Sequence, residues 1–462
     1  MLYRKIFKVI FVDAFTLLSG LIGVFFLPKI MSIDSYSLYK TFTLYITYAG
    51  VFHFGFSDGI YIKFGGRRKE EINNAQIKSY YVKLIFFTFA VSIVMLVLSF
   101  ITGDVLLKYF ALYILPFNLI HFYKLLYRAL GEFDRYSLLQ GMQIILNLIP
   151  LIVFIFIPSK AAQNLIIMQV VGIFIAAIIM NIILLIKKAE PTEKYKAKHK
   201  EILAICYIGF TVMVANLLTN LFFSIDRWLI KVFFSSKEFA YYSFAISLLS
   251  LFSVLIASFT SIAYPYLARA NNTENTKINQ KLKIYLLIFS FIFINTYYLL
   301  ANVVEFYVPK YSSSLKYLYI LFLSIPFIGV INVIYSNMYK VQKKVKLFLY
   351  TVIFMLGIAV LLNIVAIYVF STVYSISLST LCSFFIWYLY SSKHFTELSI
   401  GFKEIIYVTL NILTFIGLNV IGFNTMLTMF IGLILSVAIA YLFYKIEVNE
   451  IGVIIKKIFK RE

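Results

Sequence analysis

Asn216, Asn220, Arg227 and Lys231 interrupt an apolar stretch at spacings of four, seven and four residues. On a continuous α-helix those spacings place two amides and two cations along one face. The combination suits a ligand that is both hydroxylated and anionic, because amides pair with hydroxyls and cations with phosphate. Asp226 adjoins Arg227, but neighbours on a helix point about 100° apart, so Asp226 must find a partner elsewhere. Ionisable groups inside a membrane-length apolar run are costly unless protein or water surrounds them, so a structural or functional reason must hold them in this stretch. For Arg227 the competing reading is an interfacial anchor that snorkels beside Trp228. The next apolar run carries Ser243, Ser247, Ser250 and Ser258 on one face and closes on Arg269.

A second stripe lies earlier. Lys40, Thr43, Thr47, Gly50, His53 and Ser57 step by three or four residues through an apolar run from about Tyr36 to Ile62. Close helix packing accounts for the threonines and the glycine, but not for Lys40 and His53. Lys124 and Arg128, with His121, Glu132 and Arg135, form a cationic face that ends another helix, where an interfacial anchor is the alternative. Asp13 sits about one turn into the first apolar run, where it reads either as a solvated carboxylate at the interface or, with Asp226, as a candidate for carrying a coupling proton. The four histidines and two cysteines show no metal-ligand spacing, and neither phosphate-loop nor dinucleotide glycine pattern is present, so no metal or cofactor is expected.

These residues need elements to hold them, and composition says which. The chain of 462 residues is 62% hydrophobic and only 13% charged, against roughly 25% charged in soluble domains. The expected class is an all-α polytopic membrane protein of about fourteen transmembrane helices. Two six-helix lobes, with helices 1–6 in residues 1–200 and helices 7–12 in residues 201–392, precede helices 13 and 14 in residues 393–462. The charged segment Lys187–Glu201, which holds Pro191, separates the lobes. Leu115–Phe117 and Ile325–Phe327 repeat a Pro-Phe pair about 210 residues apart, the mark of parallel repeats.

Lysine and arginine fall near the predicted inner ends roughly four to one over the outer ends, which sets both termini in the cytoplasm. The net charge of +22 therefore reflects topology rather than nucleic-acid binding.

The Asp226-Arg227 pair with its turn, the closing P-x-x-x-R at Pro265–Arg269, the Gly-rich basic exit of helix 2 and Pro309–Tyr311 resemble the bacterial polysaccharide flippases (Wzx type) of the MOP transporter superfamily. That resemblance implies a transporter of the bacterial inner membrane rather than an enzyme. Its substrate is an undecaprenyl-diphosphate-linked oligosaccharide, moved to the periplasmic leaflet for O-antigen or capsule synthesis. Polysaccharide polymerase and chain-length proteins are then expected partners. Lipid II flippases share the fourteen-helix plan, and drug antiporters of the superfamily usually have twelve helices. Candidate substrate contacts are Lys40, His53, Lys124, Arg128, Asn216, Asn220, Arg227, Lys231 and Arg269. A membrane polymerase or ligase is the reading from another class, but every predicted outer loop is too short to carry paired catalytic carboxylates.

Overall fold

The structure, a computed structural model, describes residues 18–67, 71–157, 159–186, 195–269, 272–422 and 424–460. Among them the secondary structure is helical throughout, with no strand. Among the described residues, ten helices are long and apolar enough to cross a membrane. The pair Pro309–Phe322 and Ile325–Val341, bent by 53° at its break, makes an eleventh if it is counted as one span. Each helix satisfies its own backbone hydrogen bonds within the segment, as hydrocarbon surroundings require. Asp13 lies outside the described residues, as do the side chain of Arg269 and residues 187–194 of the basic segment.

The chain divides into two compact units, Met1–Ser224 and Ile225–Glu462. The first contains α1 (Leu18–Ile30), α2 (Ile33–Ile46), α3 (Phe56–Phe64), α4 (Asn74–Thr102), α5 (Val105–Ala129), α6 (Phe133–Phe156), α7 (Ala162–Ile186) and α8 (His199–Phe222). Local chemistry sets several ends. Ser32 caps α2 by accepting from the Ser35 amide at 3.1 Å. Asp104 caps α5 through the Leu106 and Leu107 amides at 2.8 and 3.2 Å, just after Gly103 leaves α4 in the left-handed region. Phe86, Phe89, Phe100 and Ile101 stand exposed on α4, as a lipid-facing surface requires.

Helix 2 of the sequence analysis is not one helix. It breaks after α2 into a 3₁₀ turn, Ala49–His53, and restarts at α3 after two left-handed residues, Phe54 (φ 47°) and Gly55 (φ 81°). The break lets α3 meet α8 backbone to backbone. A Cβ on Gly59 would sit 2.0 Å from the Ile205 carbonyl oxygen, so no larger residue fits that crossing. At the start of α8, Glu201 takes Lys63 Nζ at 2.8 Å and Tyr195 OH at 2.5 Å, and accepts from Tyr80 OH as well. One carboxylate thus ties α3, α4 and the segment entering α8.

The second unit runs from α9 (Ile225–Phe233) and α10 (Ser236–Arg269) through α11 (Asn272–Ile294) and α12 (Thr296–Tyr307). It continues with α13 (Leu315–Phe322), α14 (Ile325–Val330), α15 (Ser336–Val341), α16 (Val345–Val365), α17 (Val373–Ser392), α18 (Phe402–Ile421) and α19 (Thr425–Lys460). Ser371, in the left-handed region, ends the π-turn after α16, and Thr372 caps α17 through the Ser375 amide. The buried Lys283 Nζ on α11 lies 2.7 Å from Glu404 Oε1 on α18 and donates to the Leu398 carbonyl at 3.0 Å. Tyr388 on α17 donates to the same carboxylate, so neither buried charge is left uncompensated.

Candidate functional site

The break in helix 2 opens a cavity of about 310 Å³ inside the first unit. Three segments line it. The broken segment contributes Thr47, Gly50, Val51, His53 and Asp58. From α5 come Phe117 and His121, and from α8 come Met213, Asn216, Leu217, Thr219 and Asn220.

On the first wall the Gly55 amide donates to His53 Nδ1 at 3.1 Å. The ring proton of neutral His53 therefore sits on Nε2, which lies 3.6 Å from Asp58 Oδ2. On the second wall Tyr113, Phe117 and His121 follow one another at i, i+4, i+8 and stack. Centroids are 5.7 Å apart for both Tyr113–Phe117 and Phe117–His121. The ladder continues across to His53, whose ring is 5.6 Å from His121 at an interplanar angle of 10°. Asn118, on the far side of the same turn, donates to the Ala49 carbonyl at 3.0 Å and holds α5 against the 3₁₀ segment. On the third wall Asn216 and Asn220 are exposed, and no other described residue engages their side-chain amides.

The predicted site residues thus separate. His53, Asn216 and Asn220 come together in this cavity. Lys40 does not line it. Its ammonium lies over the Tyr36 and Tyr39 rings at 5.2 and 5.9 Å, within cation–π range. Lys124 donates to Gln143 Oε1 on α6 at 3.0 Å, and Arg128 is exposed near the end of α5.

Nor do Asn216, Asn220, Arg227 and Lys231 share the face of one helix. The helix stops at Phe222 and resumes at Ile225, so the amides belong to the first unit and the cations to the second. Lys231 Nζ stands 5.3 Å from the centroid of the Phe239 ring. Asp226 is buried and finds the partner its direction demands. Tyr242 OH donates to its Oδ2 at 2.5 Å, Thr380 Oγ1 lies 3.4 Å from the same atom, and the Arg227 amide donates to Oδ1 at 2.7 Å.

Asp58, Phe117 and Thr219 line the cavity without having been singled out from sequence. Asp58 carried a signal, since it follows Gly55 by three residues in G-F-S-D-G, where a carboxylate favours the first turn of a restarted helix.

Comparison with known proteins bears on this arrangement. The family described as polysaccharide biosynthesis protein matches residues 2–271. A structure of the lipid II flippase MurJ, in an inward closed conformation, superposes with a TM-score of 0.69 at 14% identity. That match covers 96% of this chain and 99% of MurJ. An inward-facing multidrug resistance MATE family transporter of the MOP superfamily gives 0.60 at 11% identity, over 84% of this chain and 95% of its own. An outward-facing structure of a MATE family transporter gives 0.57 at 13%, over 86% and 95%. No curated protein sequence matches significantly. With more than half its length matched, the chain belongs to the polysaccharide biosynthesis protein family, and it is built on the fold of the MOP-superfamily transporters.

Proposed function

We propose that the protein is a flippase that moves an undecaprenyl-diphosphate-linked oligosaccharide from the cytoplasmic to the periplasmic leaflet of a bacterial inner membrane, for O-antigen or capsule synthesis. The observation that carries the reading is the polar cavity among membrane-length helices, in a chain of the polysaccharide biosynthesis family. A sugar–diphosphate headgroup cannot cross hydrocarbon unassisted, because each buried polar group without a partner costs several kcal/mol. The amides, hydroxyls and carboxylate of the cavity replace the water that the sugar part of such a headgroup must shed. Arg227 and Lys231 are the proposed diphosphate contacts, with Lys40, Lys124, Arg128 and Arg269 as the further cations. Asp226 and Asp13 are the candidates for proton coupling. Both termini and the basic segment face the cytoplasm in this reading.

A lipid II flippase is the second reading, favoured by the match to MurJ over 96% of the chain, where the MATE family structures named above cover 84% and 86%. Proteoliposomes holding the purified protein and a radiolabelled undecaprenyl-diphosphate oligosaccharide test the proposal. Leaflet transfer at constant mass supports a flippase, and lipid II offered in parallel separates the two substrates. Growth of the glycan chain would instead identify a polymerase and overturn the proposal.

A further inference from the structure

We infer that the cavity of the first unit is a subsite for a single sugar residue of the substrate, separate from whatever holds the diphosphate. The inference rests on the transporter reading above and adds where the carbohydrate is recognised.

Three features of the cavity point to a neutral sugar. The first is its charge. None of the described residues lining it is a lysine or arginine, while Asp58 contributes a carboxylate. A wall with that balance repels a diphosphate and accepts from hydroxyl donors. The second is the planar hydrogen-bonding groups. The side-chain amides of Asn216 and Asn220, one turn apart on α8, are not engaged by other described residues. Each offers a donor and an acceptor in one plane, the pairing that adjacent hydroxyls of a pyranose or an N-acetyl group require. Thr47 and Thr219 add hydroxyls whose protons go to the carbonyls of Thr43 and Ala215, so their lone pairs stay available as acceptors.

The third feature is the aromatic wall. Phe117 and His121 belong to a stacked ladder that ends on His53, and the ladder fixes their ring planes. A sugar's C–H groups can pack against the apolar atoms that Phe117, His121, Val51, Met213 and Leu217 give the lining, while its hydroxyls meet the polar ones. The volume of about 310 Å³ stands at the small end of ligand cavities, which run from about 300 to 1,000 Å³. A volume of that size holds one sugar ring rather than a whole oligosaccharide repeat.

The test uses the full chain in lipid nanodiscs and three probes: undecaprenyl diphosphate, undecaprenyl-diphosphate N-acetylglucosamine and undecaprenyl-diphosphate galactose. Dissociation constants come from native mass spectrometry. At least one glycosylated lipid should bind about tenfold more tightly than the bare diphosphate, the worth of one or two hydrogen bonds. The double substitution Asn216→Ala, Asn220→Ala should bring that preference to within about twofold and leave the affinity for bare undecaprenyl diphosphate unchanged. These side chains are exposed and bond to no described residue, and unchanged binding of the bare lipid certifies the fold.

Equal binding of all three lipids by the unaltered protein would overturn the inference. So would a preference that survives the double substitution, or a loss that falls equally on bare and glycosylated lipid. In each of these cases leaflet transfer in proteoliposomes leaves the transporter reading standing. Failure of the unaltered protein both to bind any of the three probes and to move the labelled oligosaccharide lipid would overturn that reading, and the subsite with it.

Discussion

A Cβ on Gly209 would fall 1.9 Å from the carbonyl oxygen of Gly55. The main chains of α8 and the restart of helix 2 therefore touch without an intervening side chain, and Gly59 repeats the contact one turn further on. Inserted atoms in packed interiors cost about 1–3 kcal/mol where side chains can yield, and here the obstacle is backbone. Gly209→Ala and Gly59→Ala should each destabilise the protein by at least about 3 kcal/mol. Cys206, half-buried on α8 beside the crossing, supplies the readout. With Cys382 replaced by serine, a thiol-reactive dye should label Cys206 at a lower temperature in both variants.

The buried Lys283–Glu404 pair makes a second prediction. Lys283→Met leaves a carboxylate in the interior of the second unit with, among the described residues, Tyr388 alone donating to it, at a cost of about 3–5 kcal/mol. Adding Glu404→Gln removes the orphaned charge while keeping an acceptor for Tyr388, so the double variant should be the more stable of the two. Thermal unfolding of the purified proteins in one detergent checks the order.

Arg227 separates a substrate contact from an interfacial anchor. Under the proposed function Arg227→Ala abolishes surface polysaccharide while protein level stays constant. Arg227→Lys keeps the charge without the planar fork and retains part of the activity. Immunoblots of membranes and of extracted polysaccharide give both quantities, and a fully active Arg227→Ala would assign the residue to the interface.

Charge bias sets the fourth prediction. Lys196 is exposed just before α8. A single cysteine there, in a background without Cys206 and Cys382, should resist a membrane-impermeant maleimide in intact cells and react once the membrane is opened. Reaction in intact cells would reverse the assigned orientation.

Much of the fold was legible because lipid imposes one rule on every span. Apolar runs of membrane length mark the helices, and Ser371 with Thr372 marks the division between α16 and α17. The breaks in helices 2 and 7 were not legible for the same reason. Glycine is common in membrane helices, so Gly50 and Gly55 did not announce a turn, and Phe54 carries no signal for its positive φ. In helix 7 the run F-F-S-I-D holds neither glycine nor proline, and only Asp226 in the first turn of α9 hints at a restart. The cavity depends on the first of these breaks, so His53, Asn216 and Asn220 were found while Asp58 and Phe117 were missed.

The interrupted segment at Ala49–Gly55 also changes what the protein can vary. Gly50 lines the cavity and, having no side chain, does so through main-chain atoms that every residue type supplies. The wall can accept new side chains at Thr47, Asn216 or Asn220, and with them new specificities, while the curvature that forms it persists. Gly55 has no such latitude, because its positive φ disfavours a side chain and its contact with the Phe210 backbone leaves no room for a Cβ. Across a lineage that changes its glycan, drift should concentrate on the lining and spare the glycine that shapes it.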